Sequence, residues 1–181
     1  MAPEARSSRI ELVVGDITRV AADAIVNAAN SSLAGGGGVD GAIHRAGGPG
    51  VMADLERRYG RIRHCPTGSA VVGDAGSLPA RWVIHAVGPV WRGGGDGEPE
   101  LLANAYATSI RLAAELGART VTLPAISCGI YGYPVPLAAR VAIEAVGSAL
   151  ESAPSIELAT FVLFSQHTYD AFAAVRPGRS S

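Results

Sequence analysis

Residues 27–44 of the chain read NAANSSLAGGGGVDGAIH. An apolar run ends in Asn27, Asn30 follows, and a run of glycines leads to a lone acid, Asp40, with His44 one helical turn further on. Glycine loses more backbone freedom on folding than any other residue, so such a run belongs where the chain must turn with positive φ or approach a ligand closely. The run stands just before a short helical pattern over residues 39–45. Its N–H groups and the positive end of that helix can receive an anion, most naturally a phosphate. The spacing places Asp40 and His44 on one helix face. Taken alone, Asp40 is a helix-start carboxylate that stabilises by ~0.3–1 kcal/mol. Directly after a phosphate cradle it becomes a candidate for chemistry. Asn27 and Asn30 offer donors and acceptors that suit neighbouring ribose hydroxyls, although turn formation or capping explains either one equally well.

Working outward, apolar and β-branched runs predict strands over residues 9–14, 24–27, 69–72, 82–87, 120–125 and 158–164. Most are continuous rather than alternating, as in strands covered on both faces. Longer helices are predicted within residues 99–117 and 134–152, and shorter ones over 39–45, 51–59 and 169–175. The first long helix should bury Leu102, Ala105, Ser109, Leu112 and Leu116. The second should bury Val135, Ala138, Val141, Ala142, Ala145 and Ala149. Alternating strands and helices imply an α/β fold with a mainly parallel sheet between helical layers. Ligands in such folds bind outside the carboxyl ends of the strands. The unusual sequences fall at those ends: GDIT, the glycine stretch, ISCGIYGYP and FSQHT. The two glycine-rich loops could grip a diphosphate from opposite sides. A single domain over residues 9–175 is expected, with flexible ends at 1–8 and 176–181.

The chain has 181 residues, 48% of them apolar, and a net charge of −1, the profile of one globular domain. No apolar run approaches the ~20 residues of a membrane span, and MAPEARSSR lacks the apolar core of a secretory signal. The only cysteines, Cys65 and Cys128, fit a reducing compartment, so a cytoplasmic location is expected. All 15 cationic residues are arginine, which removes lysine-based mechanisms. With no basic run, no duplex nucleic-acid surface is expected.

Known motifs fail in turn. Gly36-x-Gly38-x-x-Gly41 matches the dinucleotide pattern literally, but the first glycine lies too far from its strand and no acid closes a second strand. No P-loop is present. The histidines are scattered and no CxxC or HxxxH spacing occurs, so no metal site is expected. His85, inside WVIHAV, reads as a satisfied strand histidine. Cys128 lies in no nucleophile elbow and has no neighbouring histidine.

GDITRVAADAIVNAANSSLAGGGGVDGAIHRAGGP, then TGSAVV, LPARWVIHAVGP and PAISCGIYGYP, together resemble a macrodomain of the MacroD type, in that family's order and spacing, from Ile10 to Phe172. The resemblance implies a three-layer α/β/α sandwich with a mixed, mainly parallel six-stranded sheet, and ADP-ribose as ligand. It implies that Asp16 accepts a hydrogen bond from the adenine amino group, Ile17 lines the adenine slot and Phe164 stacks on the ring. Gly36, Gly37, Gly38 and Val39 would hold one part of the diphosphate, and Ser127, Cys128, Gly129, Ile130 and Tyr131 the other, with Tyr131 over the distal ribose. Asn27 and Asn30 would meet that ribose, Asp40 would face its reacting carbon, and His44 would support catalysis. Cys128 departs from the family's usual threonine, and Gly47-Gly48 from its usual alanine-containing ending. The chain lacks the cysteine–histidine cluster of zinc-dependent macrodomains and the paired glutamates of poly(ADP-ribose) glycohydrolases.

The implied activity is removal of ADP-ribose from aspartate or glutamate side chains of mono-ADP-ribosylated proteins, together with deacylation of O-acetyl-ADP-ribose. It would proceed without cofactor or metal, in a monomer. Asp40 either takes a proton from the attacking water or aligns water and ribose while a substrate phosphate oxygen activates the water. Two rivals are a non-catalytic ADP-ribose reader and a dinucleotide oxidoreductase. The acid of GGGGVDG favours the hydrolase.

Overall fold

The computed structural model describes residues 9–177. Of the expected flexible ends at residues 1–8 and 176–181, residues 1–8 and 178–181 lie outside the described residues. Strands β1 (Ile10–Val14), β2 (Ala24–Ala29), β3 (Ala70–Asp74), β4 (Trp82–Val87), β5 (Thr120–Leu123) and β6 (Leu158–Leu163) alternate with helices α1 (Gly38–Gly47), α2 (Pro49–Tyr59), α3 (Glu98–Glu115), α4 (Val135–Glu151) and α5 (Gln166–Val175). One sheet of order β1-β6-β5-β2-β4-β3 contains all six strands. Every pairing is parallel except β3 with β4. The six predicted strands and five predicted helices all occur, with ends moved by a few residues.

Strand periodicity divides the core. On β2, Ala24 and Val26 pack into the cluster shared with α3, α4 and α5, where Tyr106, Phe161 and Phe172 are the largest buried side chains. Ile25 turns the other way and meets Ile17, Ile43 of α1, Val83 and Val162. On β4, Ile84 and Ala86 join the first cluster, whereas Val83 and Val87 face the opposite side. Because side chains alternate, Asn27 and His85 share that second face and look toward α1 and α2. The central strands are thus covered on both faces, as their unbroken apolar runs imply. The register also sets Asn27 directly beside His85.

Local signals start the helices. Proline occupies the first turn of α2, α3 and α4, where a missing N–H is harmless. Ser165 caps α5 by accepting from the Thr168 N–H. The buried stripes are turned slightly from those expected: α3 buries Leu102, Ala105, Tyr106, Ser109, Ile110 and Ala113, and α4 buries Ala138, Ala139, Ala142, Ile143, Val146, Gly147 and Leu150. Leu112, Leu116, Val135, Val141, Ala145 and Ala149 are only half-buried at the flanks. Each helix lies between the sheet and a neighbouring helix, which widens its buried arc beyond one apolar row. After α5, Arg176 Nη2 donates to the Ile10 carbonyl at 2.6 Å and ties the chain back to β1.

Candidate active site

The loop leaving β2 folds around Asn30. Its Nδ2 donates to the Gly35 carbonyl at 3.0 Å, while its Oδ1 accepts from Ser32 Oγ at 2.9 Å and from the Ala34 N–H at 3.3 Å. Gly35 and Gly38 take φ of +82° and +58°, a region nearly closed to side-chain-bearing residues. Gly37 is the cap of α1 and supplies no side-chain bond to the helix start. The first intrahelical bond runs from the Gly41 N–H to the Gly37 carbonyl at 3.2 Å. The N–H groups of Gly38, Val39 and Asp40 precede it, at the positive end of the helix.

The loop from β5 to α4 stands opposite. The Tyr106 hydroxyl, buried beneath it, donates to the Pro124 carbonyl at 2.7 Å and accepts from the Ile126 N–H at 2.9 Å. Further along, the Trp91 N–H donates to the Tyr131 carbonyl at 2.8 Å. Ser127 adopts φ of +67°, and its buried Oγ has no hydrogen-bond partner among the described residues. Between the loops lies a cleft of about 210 Å³. Asn30, glycines 36–38, Val39 and Asp40 line one wall; Ser127, Gly129, Ile130 and Tyr131 line the other.

Asp40 is 6% exposed. Its Oδ1 accepts from Asn27 Nδ2 at 2.7 Å and lies 3.3 Å from His44 Nε2. Burial pulls this carboxyl upward, but the bonds from His44 and Asn27 outweigh it and hold Asp40 below the usual carboxylate range. It is therefore ionised at neutral pH. Its second oxygen, Oδ2, lies beside Gly36 in the cleft wall; a Cβ on Gly36 would sit 3.4 Å from it. One carboxylate oxygen is thus engaged by Asn27 and His44, and the other lies beside the glycine run.

The family model for the macro domain matches residues 26–142, a span that contains both loops. The chain belongs to the macro domain family. It is 58% identical over 167 residues to a macro domain-containing protein of Streptomyces coelicolor, covering 91% of this chain and 96% of that one. It is 50% identical over 163 residues to a protein of Cronobacter turicensis named O-acetyl-ADP-ribose deacetylase, covering 90% and 93%. Among solved structures, a mutant of the Oceanobacillus iheyensis macrodomain with ADPR superposes with a TM-score of 0.85 at 38% identity, covering 92% and 90%.

In this macro domain Asn30, Gly36, Gly37, Gly38, Val39, Asp40, Ser127, Gly129, Ile130 and Tyr131 meet at one cleft. His44 stands behind Asp40 rather than in the cleft wall. Three of the expected residues turn their side chains away from the cleft. Asn27 does not present itself to a ribose: it is fully buried on β2, and its amide is taken up by Asp40 and by His85 Nδ1 at 3.1 Å. Cys128 packs against the core under α3 and α4 instead of lining the cleft, and burial pushes its thiol up to about 12. The Ile17 side chain is buried with Ile25, Ile43 and Val162, so only its backbone can border a ligand.

Asp16 and Phe164 lie further along the same carboxyl edge, just past β1 and β6, whose register pairs Val14 with Leu163. Asp16 caps a 3-10 turn (Ile17–Arg19) through its Oδ1, which accepts from the Thr18 N–H at 3.0 Å and Thr18 Oγ1 at 2.7 Å. These bonds hold the carboxyl below its ordinary range. Phe164 is 84% exposed, a large apolar ring standing in solvent. Sequence reasoning missed His85 and Tyr106 as parts of the site. For His85 the available signal was a polar group inside an otherwise apolar strand; Tyr106, on a helix with many polar residues, carried no such signal. Among the described residues, no group of three or more His, Cys, Asp or Glu could hold a metal ion, and no helix is long and apolar enough to cross a membrane.

Proposed function

We propose that this macro domain binds ADP-ribose along the carboxyl edge of its sheet and hydrolyses esters carried on the distal ribose, both those of mono-ADP-ribosylated protein carboxylates and O-acetyl-ADP-ribose. The diphosphate is received by the N–H groups opening α1 and by the loop over residues 127–131. The adenine lies between Asp16 and Phe164, and the distal ribose rests against Asn30 and Tyr131. Water adds either to the ester carbonyl or, in the protein adduct, to the anomeric carbon. In the first route the carbonyl's bond to the ribose oxygen breaks, the sugar hydroxyl leaves with a proton and the acid is released. In the second the anomeric carbon's bond to the ester oxygen breaks and the carboxylate leaves. The proton lost by the water passes to Asp40 Oδ2 or to a substrate phosphate oxygen.

The observation that carries this reading is the division of labour within Asp40: Oδ1 is held by Asn27 and His44 while Oδ2 lies beside Gly36, with Asp40 in the cleft wall. A carboxylate held in this way is pre-oriented to act on a bound water. A reader module needs only the phosphate-binding walls and gives no reason for an ionised acid beside them. The name of the Cronobacter relative supports ester hydrolysis, and the Oceanobacillus complex supports the ligand.

The test incubates the protein, in excess EDTA, with a glutamate-linked mono-ADP-ribosylated protein and separately with O-acetyl-ADP-ribose, and measures free ADP-ribose. Release from both is expected. Tight calorimetric binding of ADP-ribose without release from either substrate would make the protein a reader.

A further inference from the structure

We infer that His85 is a positioning residue for Asp40, acting through the Asn27 amide from the floor of the sheet. This inference rests on the functional reading above and names a residue of the same site that touches no substrate.

Asn27 and His85 are the polar residues of two adjacent buried strands, set opposite one another by the β2–β4 register. Asn27 Nδ2 makes two contacts, to Asp40 Oδ1 and to His85 Nδ1. The amide has one N–H for each, so both partners must accept. The carboxylate accepts in any case. The imidazole accepts at Nδ1 only when neutral, with its proton on Nε2. Protonation at Nδ1 would set one N–H against another and release the amide. Rotating the amide would place its oxygen against Asp40 Oδ1, oxygen to carboxylate. The network therefore has one self-consistent arrangement, and in it the Asn27 amide is locked from both sides.

The surroundings favour the neutral ring. Burial and the neighbouring His44, 6.0 Å away ring to ring, drive His85 down to about 4, against the opposing pull of Asp40 and Asp54; Arg63 acts in the same direction as His44. The Nε2 edge abuts Gly73 of β3, where a Cβ would come within 3.2 Å. Two buried atoms of the network, Asn27 Oδ1 and His85 Nε2, have no partner among the described residues. An apolar pair across β2 and β4 would avoid both, so stability alone does not account for this polar pair. The orientation that it imposes on Asp40 does.

The test compares wild type with His85→Leu, which removes the acceptor, and His85→Asn, whose short amide oxygen can stand near the position of Nδ1. The first readout needs no substrate. The Asp40 carboxyl titration, followed by carbon NMR, should move upward in His85→Leu and return toward wild type in His85→Asn. In turnover, His85→Leu should lower kcat by roughly 10–100-fold, as loss of an orienting partner does, with calorimetric ADP-ribose affinity unchanged. In an Asn27→Ala background the same substitution should add no further loss. An unmoved Asp40 titration in folded His85→Leu, or losses that multiply in the double variant, would overturn the inference. If wild type proves inert on every ester, the functional reading fails, while the carboxyl titration still decides the network.

Discussion

The two loops that form the cleft are held in opposite ways. The 124–134 loop hangs from Tyr106, whose ring lies wholly in the apolar core and whose hydroxyl serves both the Pro124 carbonyl and the Ile126 N–H. Every polar atom in that anchor is satisfied. The 30–38 loop is held by Asn30 and by Arg63 donating to the Leu33 carbonyl, and the start of α1 beyond it rests on the chain His85–Asn27–Asp40–His44. Two buried atoms of that chain lack partners among the described residues, and each such atom costs ~1–3 kcal/mol. One anchor is built to hold a surface, and the other to orient an acid at some loss of stability. On the proposed function, that difference separates a wall that only binds from one that binds and also carries the acid.

The contrast breaks most directly at Asp40. If the first wall carries the chemistry, Asp40→Ala should lower the single-turnover rate of ester hydrolysis by about 10²–10⁴, the usual worth of a positioned acid or base. ADP-ribose affinity measured by calorimetry should change little, because the lost interaction belongs mainly to the transition state. The substitution also removes a negative charge beside the diphosphate, which works against any fall in affinity. Wild-type rates in this variant would reduce Asp40 to a helix-start charge.

The same contrast explains what the sequence could and could not reveal. The six strands were legible because burial on both faces leaves continuous apolar runs. The cleft was legible because each glycine-rich stretch follows a strand that ends at the same edge. The role of Asn27 was not. Its neighbours in sequence suggest a ribose contact at the end of β2. Its true partners are His85, 58 residues away, and an acid reached by the next helix. Whether Asn27 stands at the open edge or is enclosed depends on where β2 ends, and β2 runs to Ala29, not to Asn27. Cys128 misled for a similar reason. A half-turn around Ser127, at φ of +67°, sends one side chain to the cleft wall and the next to the core.

Tyr106 offers a second, smaller test. Tyr106→Phe keeps the ring and removes the hydroxyl's bonds to the Pro124 carbonyl and the Ile126 N–H, which keep only their own 3.1 Å bond to each other, a loss of ~0.5–1.5 kcal/mol in folding stability by denaturant titration. The second wall should then bind less tightly, while the hydrolytic rate at saturating substrate stays near wild type. A fall in the saturated rate as deep as that of Asp40→Ala would show that the loops are coupled and would abolish the division between them.

The smallest expected effect lies within the glycine run itself. Gly35 and Gly38 need positive φ, whereas Gly36 does not. A Cβ on Gly36 would meet only ordinary contacts, 3.4 Å from Asp40 Oδ2 and 3.7 Å from Asn30 Nδ2. Gly36→Ala should therefore leave folding stability within about 0.5 kcal/mol of wild type, and restriction of the unfolded chain could even raise it. Gly38→Ala, in contrast, should lose roughly 1–2 kcal/mol through its left-handed backbone. The methyl added by Gly36→Ala would still project into the cleft wall where the backbone is meant to approach a phosphate. ADP-ribose affinity should then drop by about 1 kcal/mol, the lower end of what an extra methyl costs in a filled space. Thermal melts and calorimetry on the two variants separate the requirements. If Gly36→Ala lost stability but not affinity, the run would be glycine-rich only because the chain must turn there, and the close approach of a ligand would have no part in it.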